Sequence, residues 1–241
     1  MNQVNYQKEL DKVLASIGNG FLDKEKNGEE KEPPRLFLHS CCAPCSSYVM
    51  EYLCQYFRIT VFYYNPNISV PGEYQKRAAE EKRLIEAYNS EKKGYPIGMI
   101  EGDYDPAAFY GAVKGYEDCK EGGERCFRCF ELRLSETARR AAKGQYDYFA
   151  TTLTISPLKN AQKLNEIGQR LAEEYGVRWL WSDFKKRNGY KRSVELSEQY
   201  DLYRQDYCGC SFSRAEAEQR KKERKEESFN IGGNKTSRIN K

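Results

Sequence analysis

Short apolar segments of strand length alternate with amphipathic helical segments along most of this chain. Segments rich in branched and aromatic residues occupy 35–39, 58–64, 96–100, 146–152 and 177–181. Apolar residues recur at helical spacing between them, in 46–57, 71–92, 105–113, 126–143 and 159–175. Parallel strands need crossover connections, so this alternation is typical of a parallel sheet with helices on both faces. The sequence therefore predicts an α/β, Rossmann-like fold with a five-stranded parallel sheet.

The two ends of the chain depart from this alternation. A helix is predicted over 5–17, and the charged segment 20–34, which closes in two prolines, is predicted to be a linker. After Ser182 the pattern predicts a loop, a helix and a cysteine hairpin as a C-terminal extension. The predicted divisions are an N-terminal helix and linker (1–34), a catalytic domain (35–213) and a charged tail (214–241) that is either a solvated helix with a frayed end or disordered.

Charge and hydropathy narrow the classes of protein that this chain can belong to. The formal net charge is +4, but residues 214–241 carry nine Lys and Arg against five Glu, so the excess lies in the tail. Net charge alone therefore says nothing about RNA binding by the folded body, where local basic patches would have to do it. No apolar run approaches the roughly 20 residues of a spanning helix, and the N-terminus lacks the apolar core of a secretory signal. We expect a cytoplasmic protein that does not enter the membrane.

The chain has nine cysteines, and clustered thiols in a reducing compartment favour metal ligation or redox catalysis over disulfide bonds. Seven of them fall in three motifs: Cys41, Cys42 and Cys45; Cys126 and Cys129; Cys208 and Cys210. One [4Fe–4S] cluster takes at most four thiolates, so seven thiols predict a second metal. Structural zinc and dithiol redox chemistry are the alternatives that the spacing leaves open.

The positions of these motifs in the predicted fold favour a shared site. Cys41 follows the first strand, and ligands of open parallel sheets bind at the carboxyl ends of the strands. Ser46 and Ser47 are predicted to cap the next helix and leave the cysteines at its N-terminus. Cys126 and Cys129 lie roughly 110° around their helix from its apolar stripe, so they are not predicted to fill the core.

Several other residues are candidates for the site. Ser156, Lys159 and Asn160 follow the fourth strand and would emerge at the same edge as Cys41, although Ser156 and Pro157 also suit a helix start. Four arginines could add positive charge around the thiols, although arginine is also common on helix surfaces: Arg77, Arg125, Arg128 and Arg133. His39, the only histidine, is expected to have a packing or hydrogen-bonding role rather than a catalytic one. Cys54 is predicted to be a buried apolar residue.

A basic segment near the C-terminus is a candidate surface for RNA. Lys185 and Lys186 begin a run of five cations, and Phe184 and Tyr190 are interleaved with it. Cations and aromatic rings in this mixture suit phosphates and stacked bases. A solvated loop with no ligand is the alternative. We predict substrate contacts from Lys185, Lys186 and Tyr190.

The motifs together resemble one family, the epoxyqueuosine reductases of the QueH type. The resemblance spans about 35–212 and rests on CCAPCSS at 41–47, YYNPNI at 63–68, EYQKR at 73–77, RCFRCFELRL at 125–134, TTLTISPLKN at 151–160 and FKKRNGYKRSVELSEQYDLYRQDYCGC at 184–210. It implies a Rossmann-like domain related to the ATP-pyrophosphatase fold. It also implies cobalamin-independent removal of the epoxide oxygen from epoxyqueuosine at the wobble position of transfer RNA.

The same resemblance implies a [4Fe–4S] cluster with a nearby iron. Six cysteines match the family by motif: Cys41, Cys42, Cys126, Cys129, Cys208 and Cys210. Some members carry Asp where this chain has Cys45, and a thiolate in place of a carboxylate would change the metal preference. Which cysteines hold the cluster and which hold the iron stays open at this point.

The implied reaction needs two electrons, a site that polarises the C–O bond and an acid for the departing oxygen. The electrons come from an external donor that the motifs do not identify. Asp103 and Asp105, after the third strand, are the candidate acids, and Lys159 is a further catalytic candidate.

Two rival functions fit parts of the pattern. An ATP-dependent tRNA-thiolating enzyme would share the fold but needs a glycine-rich phosphate loop where CCAPCSS stands. A zinc-stabilised RNA-binding module would bind RNA without turnover and contain neither iron nor sulfide.

Overall fold

The computed structural model describes residues 4–18 and 32–233. Five strands form one sheet: β1 (Arg35–Ser40), β2 (Arg58–Tyr63), β3 (Gly98–Glu101), β4 (Tyr148–Thr151) and β5 (Arg178–Trp179). The strand order is β3-β2-β1-β4-β5, and every neighbouring pair is parallel. The predicted five-stranded parallel sheet is confirmed, with β1 at its centre. Any ligand site after β1 therefore has strand ends on both sides.

Helices connect and cover these strands: α1 (Tyr6–Ile17), α2 (Ala43–Leu53), α3 (Pro71–Ser90), α4 (Pro106–Ala112), α5 (Glu124–Lys143), α6 (Ala161–Tyr175), α7 (Gly189–Gln199) and α8 (Ser211–Gly233). A short 3₁₀ helix, Thr152–Ile155, follows β4. Within the described ranges, no helix is long and apolar enough to span a bilayer. Helices α7 and α8 flank Cys208 and Cys210 and form the predicted C-terminal extension. The end of the tail, 234–241, and most of the predicted linker lie outside the described residues.

The sheet has a hydrophobic core on each face. Alternate residues of a strand point to opposite faces, so Leu36 and Leu38 pack with α2 and α3 on one side. Phe37 packs with α5 and α6 on the other side. Fully burying one such side chain contributes about 1.5–3 kcal/mol, so the two cores fix the sheet between its helix layers. The predicted cover of both faces is confirmed.

Helix α1 belongs to the first of these cores. Its N-cap is Asn5, whose side chain accepts from the amide of Lys8, and Gly18 ends the helix as predicted. Leu10 and Leu14 are buried against α2 and β1 residues. The core therefore includes residues ahead of Arg35, where the strand pattern begins.

Two helix starts differ from the prediction. Helix α2 begins at Ala43 with Cys42 as its N-cap residue, so Ser46 and Ser47 are not caps and instead donate to the carbonyls of Cys42 and Pro44. Helix α6 begins at Ala161, and the Asn160 side chain caps it by accepting from Lys163 N at 2.9 Å. Ser156 and Pro157 are left in a turn, because the 3₁₀ helix extends β4 to Ile155.

Candidate metal centre

Cys41, Cys42 and Cys45, here called the thiol triad, occupy the turn between β1 and α2. Their sulfur atoms all lie within 4.8 Å of one another, and Cys41 Sγ is 3.7 Å from Cys42 Sγ. Cys42 has an extended backbone at the helix N-cap, which turns the chain so that Cys45 N donates to Cys42 O at 3.1 Å. Three thiolates at this separation can hold one metal ion and leave a further position open.

The three thiols of the triad differ in acidity. Hydrogen bonds from Cys42 and Cys45 hold the pKa of the Cys41 thiol well below its usual range, and Lys159 lowers it further. The hydrogen bond to Cys41 and burial raise the pKa of Cys42 to about 12, and the same causes raise that of Cys45. Cys41 is therefore the first of the three to ionise, and a metal must displace the protons of the other two.

Four more thiols line a second site, the four-cysteine pocket. Cys126 and Cys129 come from the first turns of α5, and Cys208 and Cys210 come from the turn before α8. Gly209 separates the last two with φ +119, and a Cβ there would lie 2.8 Å from Ile68 Cγ1. Glycine is therefore required for this turn. The donor set matches the four thiolates that a [4Fe–4S] cluster takes.

Cys126, Cys129 and Cys210 of the four-cysteine pocket are less acidic than Cys41. Burial raises the pKa of Cys129 to about 11 and that of Cys210 to about 12, and it also raises the pKa of Cys126. These groups hold their protons at neutral pH until a metal replaces them. Metal uptake here releases protons, so it is favoured at higher pH.

The two sites adjoin each other. A larger cavity, of about 360 Å³, is lined by the thiol triad and also by Cys208, Lys159, Ser156 and Tyr190. Cys208 and Lys159 line the four-cysteine pocket as well. The structure thus brings the three cysteine motifs together at the carboxyl end of the sheet, as the strand topology predicts.

Positive charge surrounds these thiols. Arg77 is buried, pairs with Glu73 at 2.7 Å and donates to Cys208 O at 3.1 Å. Arg125 is buried and pairs with Glu216 at 2.8 Å. Arg128 lies on the exposed side of α5, beside Glu124 and Tyr116, and does not line either site.

Some of the predicted site residues lie elsewhere. Asp103 is exposed and pairs with Arg140, while Asp105 caps α4 by accepting from Ala107 N. Neither lines the larger cavity or the four-cysteine pocket, because β3 is the edge strand beyond β2. Asn160 is exposed at its cap position.

The basic segment lies beside the larger cavity. Tyr190 lines that cavity and is 40% exposed, whereas Lys185 pairs with Asp183 at 2.7 Å and Lys186 is exposed. Neither lysine lines the cavity itself. Phe184 is buried in the hydrophobic core and cannot stack on a base, which corrects its expected role.

His39 has the expected structural role. It is fully buried, its Nδ1 lies 2.8 Å from Thr151 Oγ1, and Arg133 donates to its Nε2 at 3.2 Å. Burial, aided by the Arg133 charge, lowers the pKa of the imidazole to about 3. The ring is therefore neutral and acts as a hydrogen-bonding partner. Cys54 is buried in the core as predicted.

Three buried polar residues near the thiols were not predicted. Glu81 lies behind the triad and accepts from Ser46 Oγ at 2.6 Å, and burial raises its pKa to about 7. Asn65 donates to Ser40 O, and Asn67 donates to Cys208 Sγ at 3.9 Å. The two asparagines lie in the YYNPNI motif, and that motif was the one sequence signal that could have pointed to them.

Comparison with known proteins identifies the family. A family model described as epoxyqueuosine reductase QueH matches residues 36–216. A protein of that name from Streptococcus pyogenes is 45% identical over 185 residues, covering 77% of this chain and 72% of the relative. One from Staphylococcus epidermidis is 42% identical, covering 88% of this chain and 85% of the relative. One from Thermotoga maritima is 36% identical, covering 74% of this chain and 89% of the relative. This chain therefore belongs to the QueH family of epoxyqueuosine reductases.

Proposed function

We propose that this protein removes the epoxide oxygen of epoxyqueuosine in transfer RNA. The reaction takes up two electrons from an external reductant and two protons, breaks both C–O bonds of the epoxide, forms the cyclopentene double bond and releases water. Family membership supports the reaction, and the observation that carries it is the convergence of seven thiols on two adjoining sites. Since the substrate is transfer RNA, the enzyme is expected to work in the cytoplasm.

The two thiol groups fit two different metal centres. We assign a [4Fe–4S] cluster to the four-cysteine pocket, because its four thiols match the ligand count of such a cluster. The thiol triad fits a single iron, since three close thiolates leave a coordination position open. When bound, these centres supply electrons one at a time and polarise the C–O bond. Cys45, a softer donor than the Asp of some relatives, favours iron over hard cations such as magnesium.

The larger cavity is the proposed substrate site. It is open beside the triad, and its wall combines the ring of Tyr190 with the turn that holds Ser156 and Lys159. An aromatic ring at the mouth suits stacking on the modified base, and a serine hydroxyl suits the diol of the substrate.

Lys159 is the proposed proton-holding group at the reacting oxygen. Burial opposes its charged form, but the sulfurs of Cys208, Cys41 and Cys45 outweigh burial and raise the pKa of this ammonium. Lys159 therefore stays protonated at the junction of the two sites and can donate a hydrogen bond to the oxygen as the C–O bond breaks. Asp103 and Asp105 have no part in this proposal, because neither lines a thiol site.

The anticodon loop is proposed to bind over the basic segment. Lys186 and the neighbouring Lys191 are exposed near the cavity mouth marked by Tyr190, and Lys191 keeps 77% of its side chain exposed. Phosphate contacts from exposed lysines would position the loop without reading its sequence. Lys185 is proposed to hold this segment in place through Asp183.

The test uses protein purified and reconstituted without oxygen. It is incubated with transfer RNA that carries epoxyqueuosine and with a strong reductant, and the nucleosides are analysed by mass spectrometry. We expect loss of one oxygen atom from the modified nucleoside, and no loss when the reductant is omitted. Protein that is replete in iron and sulfide but leaves the epoxide intact would contradict the proposal.

Lys159→Met separates the proposed role of the ammonium from metal binding. We expect this variant to bind iron and sulfide like the wild type but to lose turnover by about 100-fold or more, the usual range for a lost acid. Lys163→Met, on the exposed side of α6, is the matched control. An active Lys159→Met protein would remove Lys159 from the mechanism.

A further inference from the structure

Arg133 is a charged side chain in an unusual position. It is among the largest fully buried side chains, and it lies on α5 one turn after Cys129. Its Nη1 donates to Cys129 Sγ at 4.0 Å, its Nε donates to His39 Nε2 at 3.2 Å, and its Nη2 donates to Asn65 Oδ1 at 2.5 Å. No carboxylate among the described side chains forms an ion pair with it. A buried cation without an anion is strongly destabilising, so its counter-charge must be sought nearby.

The other buried arginines at the site have conventional partners. Arg77 pairs with Glu73 and Arg125 pairs with Glu216, both within 2.8 Å. The partners of Arg133 other than sulfur are neutral, since Asn65 is an amide and His39 is held uncharged by burial. Burial would lower the pKa of Arg133, but the sulfurs of Cys129, Cys208 and Cys41 raise it. The Cys129 sulfur, 4.0 Å from Nη1, therefore becomes the counter-charge of this guanidinium once a metal replaces the thiol proton.

We infer that Arg133 is a fixed positive charge that stabilises the anionic sulfurs of the metal centre and raises the reduction potential of that centre. Adding an electron makes the centre more negative, so a nearby cation stabilises the reduced form more than the oxidised form. Arg133 acts through Cys129 and not on the substrate, which makes it a positioning residue. The inference rests on the proposed cluster in the four-cysteine pocket.

A purely structural role for Arg133 is the alternative. Its hydrogen bonds hold His39 on β1 and Asn65 after β2, so its loss could disturb the strand ends. Two substitutions separate charge from hydrogen bonding. Arg133→Lys keeps the charge but cannot make the three contacts, and Arg133→Gln keeps a polar group without the charge. Arg140→Gln is the matched control, because Arg140 lies on the same helix and its charge is paired with Glu136 and Asp103.

The experiment measures iron, acid-labile sulfide and midpoint potential in the reconstituted holoproteins, the potential by anaerobic titration followed by absorbance and electron paramagnetic resonance. At the wild-type midpoint, we expect Arg133→Gln to shift the oxidised-to-reduced ratio at least tenfold toward the oxidised form. For a one-electron couple that is a potential about 59 mV lower. Arg133→Lys and Arg140→Gln should stay within threefold of the wild type.

The outcomes separate this inference from the proposed function. One contrary result is an Arg133→Gln protein with a full cluster and an unshifted potential, and another is an Arg133→Lys protein whose potential shifts as much as that of Arg133→Gln. Either result overturns the role of Arg133 and leaves the proposed cluster standing. If Arg133→Gln loses iron while Arg133→Lys retains it, the charge requirement is supported. If both variants lose iron, the shape and hydrogen bonds of Arg133 are what the metal centre requires, not its charge. The inference is then overturned. Wild-type protein that takes up no iron and sulfide would instead refute the cluster itself.

Discussion

The thiol triad comes from one turn of the chain, whereas the four-cysteine pocket needs α5 and the turn before α8 to meet. The triad is positioned by local backbone geometry between β1 and α2 and contains one acidic thiol, Cys41. The thiols of the pocket are positioned by tertiary packing, and burial raises the pKa of Cys129 and Cys210. Metal binding at the triad should therefore depend little on the C-terminal extension, and metal binding in the pocket should depend on it strongly.

The largest expected effect comes from a ligand of the four-cysteine pocket. Cys129→Ser should lose all acid-labile sulfide and most of the iron, and turnover should fall more than about 100-fold, beyond the usual loss for a residue that only supports a ligand. Cys119→Ser is the control, since Cys119 is a half-buried free cysteine that lines neither thiol site. Iron and sulfide assays decide the outcome. Full sulfide in Cys129→Ser would mean that the pocket does not hold the cluster.

A ligand of the triad should give a different pattern. Cys45→Ser is expected to abolish turnover and lose only the single iron, while the sulfide content stays at the wild-type value. Cys45→Asp should recover part of the iron, because a carboxylate is also an anionic ligand. Equal losses of sulfide in Cys45→Ser and Cys129→Ser would show that the two groups of thiols form one centre and not two.

Gly209→Ala tests how far the pocket depends on its turn. The residue has φ +119, and the new Cβ would contact Ile68, so we expect a loss of stability of about 1–3 kcal/mol. The acid-labile sulfide content of the reconstituted protein should fall, while binding of a single metal ion by the triad should change little. Gly72→Ala is the control, since a Cβ there meets nothing within 4 Å. Thermal unfolding and sulfide assays measure both effects. A Gly209→Ala protein with wild-type stability would show that the turn tolerates a side chain.

Substitution of Glu81 should change the stability in a way that depends on pH. Burial raises its pKa from 4.5 to about 7, so the folded state favours the protonated carboxyl. Stability from this group is fully present below pH 4.5 and is lost as the pH rises through 7, an effect of up to about 3 kcal/mol. Glu81→Gln replaces the carboxyl by an amide, which can still accept from Ser46 but does not titrate. Its stability relative to the metal-free wild type should therefore improve from pH 5 to pH 8.

Chemical denaturation at each pH measures this difference. Glu86→Gln, on the exposed side of α3, is the control and should show no such trend. A difference between wild type and Glu81→Gln that stays constant with pH would contradict the raised pKa of Glu81.

The sequence predicted most of the fold because its signals are local. Strand-length apolar runs, the helix stripe of α5 and the N-terminal helix each depend on nearby residues, and all appear in the structure. The three cysteine motifs were also local, and parallel topology brings them to one edge. Helix α2 starts earlier than predicted because Pro44 suits the first turn, a signal that the two serines obscured.

The missed features depend on tertiary structure. The sequence does not state the strand order, so it could not place Asp103 and Asp105 on the far side of β2 from the thiols. Nor could it show that Arg133 has no carboxylate partner within 4–18 and 32–233, while Arg125, two turns earlier on the same helix, has one. Burial of Glu81 and Asn67 follows from packing between elements, which no helical or strand period reveals.

The most direct test of two adjacent centres is a crystal structure of anaerobically prepared protein with anomalous data at the iron edge. We predict a multi-iron peak among Cys126, Cys129, Cys208 and Cys210 and a separate single-iron peak among Cys41, Cys42 and Cys45. A single shared peak, or a zinc ion in place of iron in the four-cysteine pocket, would contradict the account.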